Sequence, residues 1–477
     1  MRFIGRKKEL ESLELLLKKK SSSLVVIHGR RRVGKSRLIK EFVSDKKSWI
    51  FSGLPPVPGI TKQRQLDAFS TQISQNLKMP KIQVSEWIES FTFLGNQAKD
   101  QKIVIVLDEI SWMGSKDPDF LGQLKTAWDL HFSENPELIL ILCGSVSSWI
   151  EENILKSTGF VGRVSMDMVL EELSIAESSE FWGVQRNKVS AYEKLKILSV
   201  TGGIPKYLEE IIPSLSGEDN IHRLCFQSKG LLFREFDQIF SDLFSKRAQT
   251  YSNIVKTLAH IPLTLDEVCE NLNLEKSGSI SRCLDDLELA GFVHEDHTWN
   301  LSTKGESRLK KFRLKDNYLR FYLRYIEPNK DRIEKDLFES KSFMFMPGWE
   351  SVMGLQFENL VINNLKCLCK ILRIELIEII NAGPFFQRAT QRQKGCQIDL
   401  MIQTKHNTIY VCEIKFSTSE IKHSVIEEME KKIENLCVPK GFSIRPVLIH
   451  VSGISQAVQN SAVFSEIVDF SQFFSQT

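Results

Sequence analysis

The chain has 477 residues, of which 42% are hydrophobic and 26% charged, with a formal net charge of +3. Its length predicts about three domains, and its small net charge excludes a global field that would by itself drive nucleic-acid binding. The 9 cysteines include no CxxC pair, which favours reduced thiols over a zinc or disulfide framework. With no signal-peptide core and no apolar run of about 18 residues, we expect a cytoplasmic protein without a membrane span.

A phosphate-binding loop is predicted at residues 28–36. The apolar run 24–27 is typical of a short buried strand, and the segment HGRRRVGKS behind it matches G-x-x-x-x-G-K-[ST] ahead of a helical stretch. N–H groups of such a loop surround phosphate oxygens, its lysine reaches the terminal phosphates and its hydroxyl ligates Mg²⁺. The alternative is a glycine-containing loop that binds no nucleotide, which the order of strand, loop and helix disfavours. The expected nucleotide contacts are Gly29, Arg30, Arg31, Arg32, Val33, Gly34, Lys35, Ser36 and Arg37, with Lys35 also catalytic and Ser36 also a metal ligand.

Two carboxylates follow a second buried strand. The segment 103–109, IVIVLDE, places an apolar run ahead of Asp108 and Glu109. Helices cover both faces of a parallel strand of this kind, and ligands bind at its carboxyl end. We expect Asp108 to hold Mg²⁺ through water and Glu109 to polarise the attacking water, which makes the site hydrolytic. A strand that runs into an acidic turn is the alternative.

Two further residues are expected near the γ-phosphate. A third apolar strand, 138–142, leads to Ser145, whose hydroxyl at the strand tip is the candidate phosphate sensor, although a Ser/Gly turn would look the same. Arg163 follows a loop and can stabilise transition-state charge within its own subunit or, in a homo-oligomer, in a neighbouring subunit. A surface arginine is the equal alternative.

Three more segments resemble those of a known family: FIGRKKEL at 3–10, STGFVGR at 157–163 and TGGIPKYL at 201–208. With the two nucleotide motifs in the same order, residues 1–330 resemble the archaeal-type ATPases of the AAA+/STAND superfamily. The resemblance implies ATP as the ligand, a nucleotide-dependent conformational switch and a helical lid that begins at the GGIP segment. It also implies six nucleotide contacts. Phe3, Ile4, Gly5 and Arg6 would lie near the adenine, and Gly203 and Pro205 would belong to a sensor.

Residues 241–303 have the outline of a winged helix. A capped helix over 264–272, a second helix over 277–289 and two β-prone pieces at 292–294 and 298–301 follow one another. The start of the second helix can meet phosphates or base edges of DNA. The alternative is a module that only packs against the ATPase, and the carboxylates on the second helix favour that alternative.

The segment 304–324 is both basic and aromatic. Lysine and arginine interleaved with phenylalanine and tyrosine can follow a nucleic-acid backbone. The favoured interpretation is an amphipathic connector whose apolar residues pack while its charges face water. A loose joint over 328–347 is expected to follow.

The last third of the chain brings two carboxylates and a lysine together. Strand 395–402 carries Asp399, and strand 408–416 carries Glu413 and Lys415, which share one face because side chains alternate along a strand. Across a hairpin, Asp399 can lie opposite them. The acids would hold Mg²⁺, and Lys415 would steady the attacking water or the developing charge.

The spacing D-x13-E-x-K, with Glu358 on an upstream helix as a further metal ligand, resembles the PD-(D/E)xK nuclease superfamily. Ile398 stands where the motif has proline, which removes no ligand. Such domains accompany this ATPase family, often without an assigned function. A hairpin with one charged outer face is the alternative, and the apolar neighbours of Asp399 and Glu413 weigh against it. Whether the nuclease is active is left open.

The expected fold class is α/β: a P-loop NTPase parallel sheet with a helical lid, then a winged helix, then a restriction-endonuclease-like α/β domain. The expected boundaries are 1–170 for the ATPase core, 171–240 for the lid, 241–303 for the winged helix, 304–347 for a connector and 348–477 for the nuclease-like domain. The main hypothesis is an ATP-hydrolysing, Mg²⁺-dependent switch coupled to a nuclease-like domain that cuts or holds DNA. The competing hypothesis is a scaffold or regulator with an inert nuclease fold that acts through protein partners. A transcription regulator is a weaker third.

Overall fold

The computed structural model describes residues 3–475 except 56, 58, 146, 245–247, 276–277, 340–341 and 392. The chain divides into two compact units, Met1–Glu171 and Glu172–Thr477. Among the described residues, no helix is both long enough and apolar enough to cross a membrane.

The first unit is built on a five-stranded parallel sheet with the strand order β2-β3-β4-β1-β5. Its strands are β1 Ser23–His28, β2 Ser48–Ser52, β3 Ile103–Asp108, β4 Leu138–Gly144 and β5 Val164–Val169. Its helices are α1 Lys7–Leu16, α2 Lys35–Phe42, α3 Lys62–Leu77, α4 Trp87–Ala98, α5 Ile110–Met113, α6 Phe120–Ala127 and α7 Ser147–Ile150, with π-helical turns at Trp128–Phe132 and Glu151–Leu155.

The central strands of this sheet are the apolar runs that the sequence predicted as strands. Strands β1, β3 and β4 are buried along nearly their whole length, and α3, α4 and α6 pack against them through residues such as Leu66, Phe91 and Leu124. Because all five strands run in one direction, the segments that follow β1, β3 and β4 meet at the same edge, where open α/β sheets place their ligands. The predicted P-loop sheet is confirmed.

The second unit contains the remaining elements. Its strands are β6 Val293–Trp299, β7 Glu306–Leu314, β8 Ile379–Gln387, β9 Cys396–Thr404, β10 Thr408–Lys415, β11 Ser443–His450 and β12 Glu466–Asp469. Its helices are α8 Ile175–Ser178, α9 Ala191–Thr201, α10 Pro205–Leu208, α11 Gly217–Cys225, α12 Leu231–Phe244, α13 Ala248–Leu258, α14 Leu265–Asn271, α15 Gly278–Leu289, α16 Asn317–Phe321, α17 Lys330–Glu334, α18 Trp349–Asn363, α19 Leu365–Ile371, α20 Ser424–Asn435 and α21 Gln456–Gln459.

The middle of the second unit is a module of three helices and a hairpin, α13–α15 with β6 and β7. The capping box at Thr264 and Glu267 is present as predicted, and α15 ends before Gly291, whose φ is 79°. The hairpin differs from the prediction. β6 runs on through Trp299, and its antiparallel partner is β7, which lies in the segment expected to be a connector. The outer part of β7 alternates between exposed and partly buried side chains, which is the period of a strand.

The carboxy-terminal part is a mixed five-stranded sheet with the order β12-β11-β10-β9-β8. β8, β9 and β10 are antiparallel neighbours, whereas β10, β11 and β12 run parallel. One face packs in a core cluster with α18 and α19, and Val411 of the other face packs in a cluster with Val425 and Met429 of α20. Since side chains alternate along a strand, Glu413 lies on the same face as Val411, towards α20.

Candidate functional site

Glycines shape the loop between β1 and α2. Gly29 has a φ of 138°, and a Cβ there would collide with the carbonyl oxygen of Leu170. Gly34 has a φ of 93° and immediately precedes α2. Only glycine adopts such conformations without strain, so the two glycines that the motif requires stand where the backbone has these positive φ angles.

Lys35 is the first residue of α2, and its side chain reaches back into this loop. Its side chain is buried, and its Nζ donates to the carbonyl oxygens of Gly29 at 2.8 Å and Arg30 at 3.0 Å. Burial lowers the pKa of Lys35, although the negative charges of Glu109 and Asp108 oppose the shift. An ammonium group held by two neutral carbonyls can exchange them for phosphate oxygens, which bind it more strongly because they are charged.

Ser36 and Asp108 connect the loop to the tip of β3. The hydroxyl of Ser36 donates to Oδ2 of Asp108 at 2.9 Å. A hydroxyl and a carboxylate oxygen side by side are ligand types that Mg²⁺ accepts, and the ion usually completes its octahedron with water and substrate phosphates. The residues present therefore fit a Mg²⁺ ion that arrives with a nucleotide, and their role as metal ligands stays a prediction.

Glu109 and Ser145 form the next part of this edge. Glu109 has a φ of 52° and immediately precedes α5. The hydroxyl of Ser145 donates to its Oε1 at 3.0 Å. Burial raises the pKa of Glu109, Lys35 opposes that shift and Asp108 adds to it. Ser145 was predicted to sense phosphate, whereas here it holds the carboxylate of the predicted catalytic residue.

Arg163 is engaged in an ion pair. Its Nε and Nη2 donate to the two carboxylate oxygens of Asp129, at 2.7 and 2.9 Å. These hydrogen bonds lower the pKa of Asp129 to about 2, with a further contribution from Lys125. A role for Arg163 at a phosphate therefore requires this bidentate pair to open.

The amino-terminal segment contacts the phosphate-binding loop through Arg6. This buried side chain donates from Nη2 to the carbonyl oxygen of Val33 at 3.1 Å and also to the carbonyl oxygen of Glu171. Phe3, Ile4 and Gly5, which precede it, are partly buried. Of the predicted loop arginines, Arg30 is buried, Arg31 and Arg32 are partly buried and Arg37 is exposed.

Gly203 and Pro205 belong to the second unit. The N–H of Gly203 donates to Oε2 of Glu172 at 3.0 Å, and a Cβ at Gly203 would collide with the carbonyl oxygen of Leu173. Pro205 is the first residue of α10, where a missing N–H costs nothing. Their assignment to a nucleotide sensor stays a prediction.

The second candidate site is the cluster of Asp399, Glu413 and Lys415, which we call the carboxylate cluster. The register pairs Cys412 with Leu400 across β10 and β9. The N–H of Ile414 donates to Oδ2 of Asp399 at 2.9 Å, and Nζ of Lys415 lies 3.5 Å from Oε1 of Glu413. The structure thus brings together the three residues that the spacing singled out.

Sequence reasoning missed one member of this neighbourhood, Lys432 of α20. Its Nζ donates to Oε2 of Glu413 and lies 3.4 Å from Oδ1 of Asp399. Burial alone would lower the pKa of Lys432, but the charges of Asp399 and Glu413 raise it. In the described part of the chain, no three His, Cys, Asp or Glu side chains are grouped so that they could hold a metal ion. As arranged, the carboxylate cluster does not fit Mg²⁺, because an ammonium group takes the ion's place.

Glu358 approaches the same cluster from α18. Burial raises its pKa to about 8, and the charge of Asp399 adds to the shift, whereas Arg320 and Arg313 oppose it. Both arginines come from the segment predicted as a connector. Its apolar residues pack as predicted, but Arg313 does not face water, since it is buried in an ion pair with Asp296 at 2.7 Å.

Comparisons with known proteins match the amino-terminal part of the chain to an ATPase domain. Residues 3–211 match an ATPase domain found predominantly in Archaea, and residues 322–430 match archaeal and bacterial proteins of unknown function. An uncharacterized protein of Methanocaldococcus jannaschii is 24% identical over 399 residues, which are 84% of this chain and 84% of that protein. An uncharacterized ATP-binding protein of the same organism is 49% identical over 45 residues, 9% of this chain and 76% of that protein.

Two solved structures are similar in part. The Walker-type ATPase of Pyrococcus abyssi superposes with a TM-score of 0.49 at 16% identity, covering 68% of this chain and 96% of its own. The ORC2 protein of Aeropyrum pernix gives a TM-score of 0.40 at 14% identity, covering 70% and 94%. The matched domain and the parallel sheet agree: residues 3–211 of this chain are similar to an ATPase domain found predominantly in Archaea.

Proposed function

We propose that this protein is an ATP-hydrolysing molecular switch in which the nucleotide state changes the conformation of the second unit. The observation that carries the proposal is the hydrogen bond between Ser36 and Asp108, which brings the phosphate-binding loop to the carboxylate strand. The buried Lys35 and the carboxylate of Glu109 supply the other two groups that phosphoryl transfer to water requires.

In this proposal each residue has a defined task. Lys35 leaves the carbonyl oxygens of the loop and binds the terminal phosphates. Ser36 and Asp108 would hold Mg²⁺, which neutralises phosphate charge when bound. Glu109 accepts a hydrogen bond from a water molecule and takes its proton as the water oxygen attacks the γ-phosphorus, yielding ADP and phosphate. Ser145 keeps the Glu109 carboxylate in position. Arg163 stabilises the developing charge once it leaves Asp129.

The family resemblance extends the proposal to the rest of the nucleotide. Phe3, Ile4, Gly5 and Arg6 would lie at the adenine, and Gly203 and Pro205 would sense the nucleotide at the start of the lid. The contact of Arg6 with Val33 supports the first assignment. The protein would act in the cytoplasm, as a monomer or as a homo-oligomer if Arg163 serves a neighbouring subunit.

The test compares Lys35→Ala with Lys40→Ala, an exposed lysine on the same helix. Removing Lys35 should weaken ATP binding by roughly 30-fold or more, since truncating one partner of a buried charge pair costs about 2–5 kcal/mol. Lys40→Ala should bind as wild type does. Equal affinity in both variants, measured by titration calorimetry, would refute the nucleotide site.

A second proposal concerns the carboxy-terminal sheet, which we infer to be a PD-(D/E)xK nuclease-like domain. The convergence of Asp399, Glu413 and Lys415 supports this inference. The position of Lys432 favours a domain that is inert as arranged and acts as a scaffold for DNA or protein partners, rather than one that cleaves constitutively. Incubating the protein with labelled DNA and RNA, with and without ATP and Mg²⁺, tests this. Cleavage that disappears in Asp399→Asn would support a nuclease, whereas intact substrate would support the scaffold.

A further inference from the structure

We propose that Lys432 is the resident cation of the carboxylate cluster and keeps it free of divalent metal. The proposal rests on the proposed nuclease-like domain only in treating Asp399 and Glu413 as the side chains that would ligate a metal. It concerns the second unit alone, so it stands or falls independently of the phosphate-binding loop.

The first step is the need for a cation. Glu413 is only 3% exposed and lies between the buried residues Cys412 and Ile414 of β10. A buried carboxylate is costly unless it is paired, and Asp399 beside it adds a second negative charge. In a nuclease of this architecture a divalent ion would meet that need. Here Nζ of Lys432 bonds to Glu413 and lies 3.4 Å from Asp399.

The second step is how the chain holds Lys432 there. On α20, Lys432 follows Val425 and Met429 at spacings of seven and three residues, so it lies on the helix face that packs on the sheet. A thiol contact from Cys396 Sγ to the carbonyl oxygen of Lys432, at 3.4 Å, fixes the same turn to β9. Lys432 is therefore directed at the cluster by core packing and does not lie on the solvent face of the helix.

The third step is a second ion pair that runs the other way. Nζ of Lys415 on β10 donates to Glu428 of α20, one helical turn before Lys432. Strand and helix thus exchange charges: a helix lysine neutralises a strand glutamate, and a helix glutamate neutralises a strand lysine. The N–H of Ile414 occupies an oxygen of Asp399. Protein donors therefore already bind the oxygens that a metal would need.

The experiment measures Mn²⁺ binding to the full chain without nucleotide, by the electron paramagnetic resonance signal of free Mn²⁺. In wild type, Asp399→Asn should not change the number of ions bound. Lys432→Met, which keeps the aliphatic stem and removes the charge, should bind one additional ion, and Asp399→Asn in that background should remove it. Lys431→Ala, an exposed neighbour on α20, is the matched control and should behave as wild type.

Two outcomes overturn the proposal. The first is wild-type binding of a Mn²⁺ ion that is lost in Asp399→Asn, and the second is a folded Lys432→Met variant that binds no additional ion.

A thermal melt supplies an independent readout. Lys432→Met should melt below wild type and recover with Mn²⁺, whereas Lys432→Arg should need no ion. If Lys432→Met does not fold even with Mn²⁺, the comparison of wild type with Asp399→Asn still decides. The ATPase rate is not a readout, so failure here leaves the switch proposal intact, and the reverse also holds.

Discussion

The phosphate-binding loop and the carboxylate cluster use the same types of residue with opposite results. Both bring a lysine of a helix close to two acidic side chains that lie on a strand or directly after it. In the loop, Lys35 rests on neutral carbonyl oxygens and Asp108 on a hydroxyl. In the carboxylate cluster, Lys432 already bridges the acids Asp399 and Glu413. A pattern of charged residues therefore identifies a place for an ion, while the partners of each charge decide whether the ion is still needed.

The largest expected contrast is between Glu109→Gln and Glu413→Gln. Glu109→Gln should lower the ATPase rate by roughly 100-fold or more, because a positioned general base accelerates a reaction by about 10²–10⁴-fold. The free energy of unfolding should stay unchanged. Glu413→Gln should leave the ATPase rate unchanged and destabilise the chain by about 3 kcal/mol, since it breaks a buried ion pair and leaves Lys432 undercompensated. Steady-state kinetics and urea unfolding measure the two effects. The contrast fails if Glu413→Gln is as stable as wild type.

A smaller effect is expected for Ser145, whose hydroxyl holds the Glu109 carboxylate. Ser145→Ala should lower kcat about 10-fold, since one hydrogen bond to a charged group contributes about 1.5–3 kcal/mol, and KM for ATP should stay unchanged. Ser145→Thr, which keeps the hydroxyl, should restore most of the rate. A change in KM with kcat preserved would instead indicate the phosphate contact that the sequence suggested.

The smallest expected effect is a pH dependence of stability that comes from Glu358, beside the carboxylate cluster, and not from the phosphate-binding loop. The pKa of Glu358 is raised to about 8, so the folded state retains a proton that the unfolded state loses near 4.5. The stability that this carboxyl group contributes is present below its pKa in the unfolded chain and is lost as the pH rises through about 8. The free energy of unfolding of Glu358→Gln, minus that of wild type, should therefore be larger at pH 9 than at pH 5 by at least about 1 kcal/mol. Parallel stability curves for the two proteins would contradict this.

The sequence predicted what is local. The positions of the glycines, Lys35 and Ser36 could be predicted because the loop, its strand and its helix are consecutive. The buried strand before Asp108 could be predicted from its unbroken apolar run. The spacing of Asp399, Glu413 and Lys415 likewise needed only a hairpin. Each of these predictions depends on the two-residue alternation of side chains along a strand or on the residue at which a helix begins. Both are determined by residues that are close together in the sequence.

What the sequence could not predict depends on packing between distant segments. Lys432 stands in a charged helical stretch where any lysine looks solvated, and only the docking of α20 on β9 and β10 turns it inward. Asp129 gave no sign that it would bind Arg163. The strand β7 was mistaken for a connector because its lysines and arginines obscured the two-residue alternation that pairs it with β6.

One measurement tests the contrast between the two sites most directly: the number of Mn²⁺ ions bound per chain in the presence of a non-hydrolysable ATP analogue. The expected result for wild type is an ion that appears only with the analogue, is lost in Asp108→Asn and is unaffected by Asp399→Asn. An ion that persists in Asp108→Asn but disappears in Asp399→Asn would contradict the account.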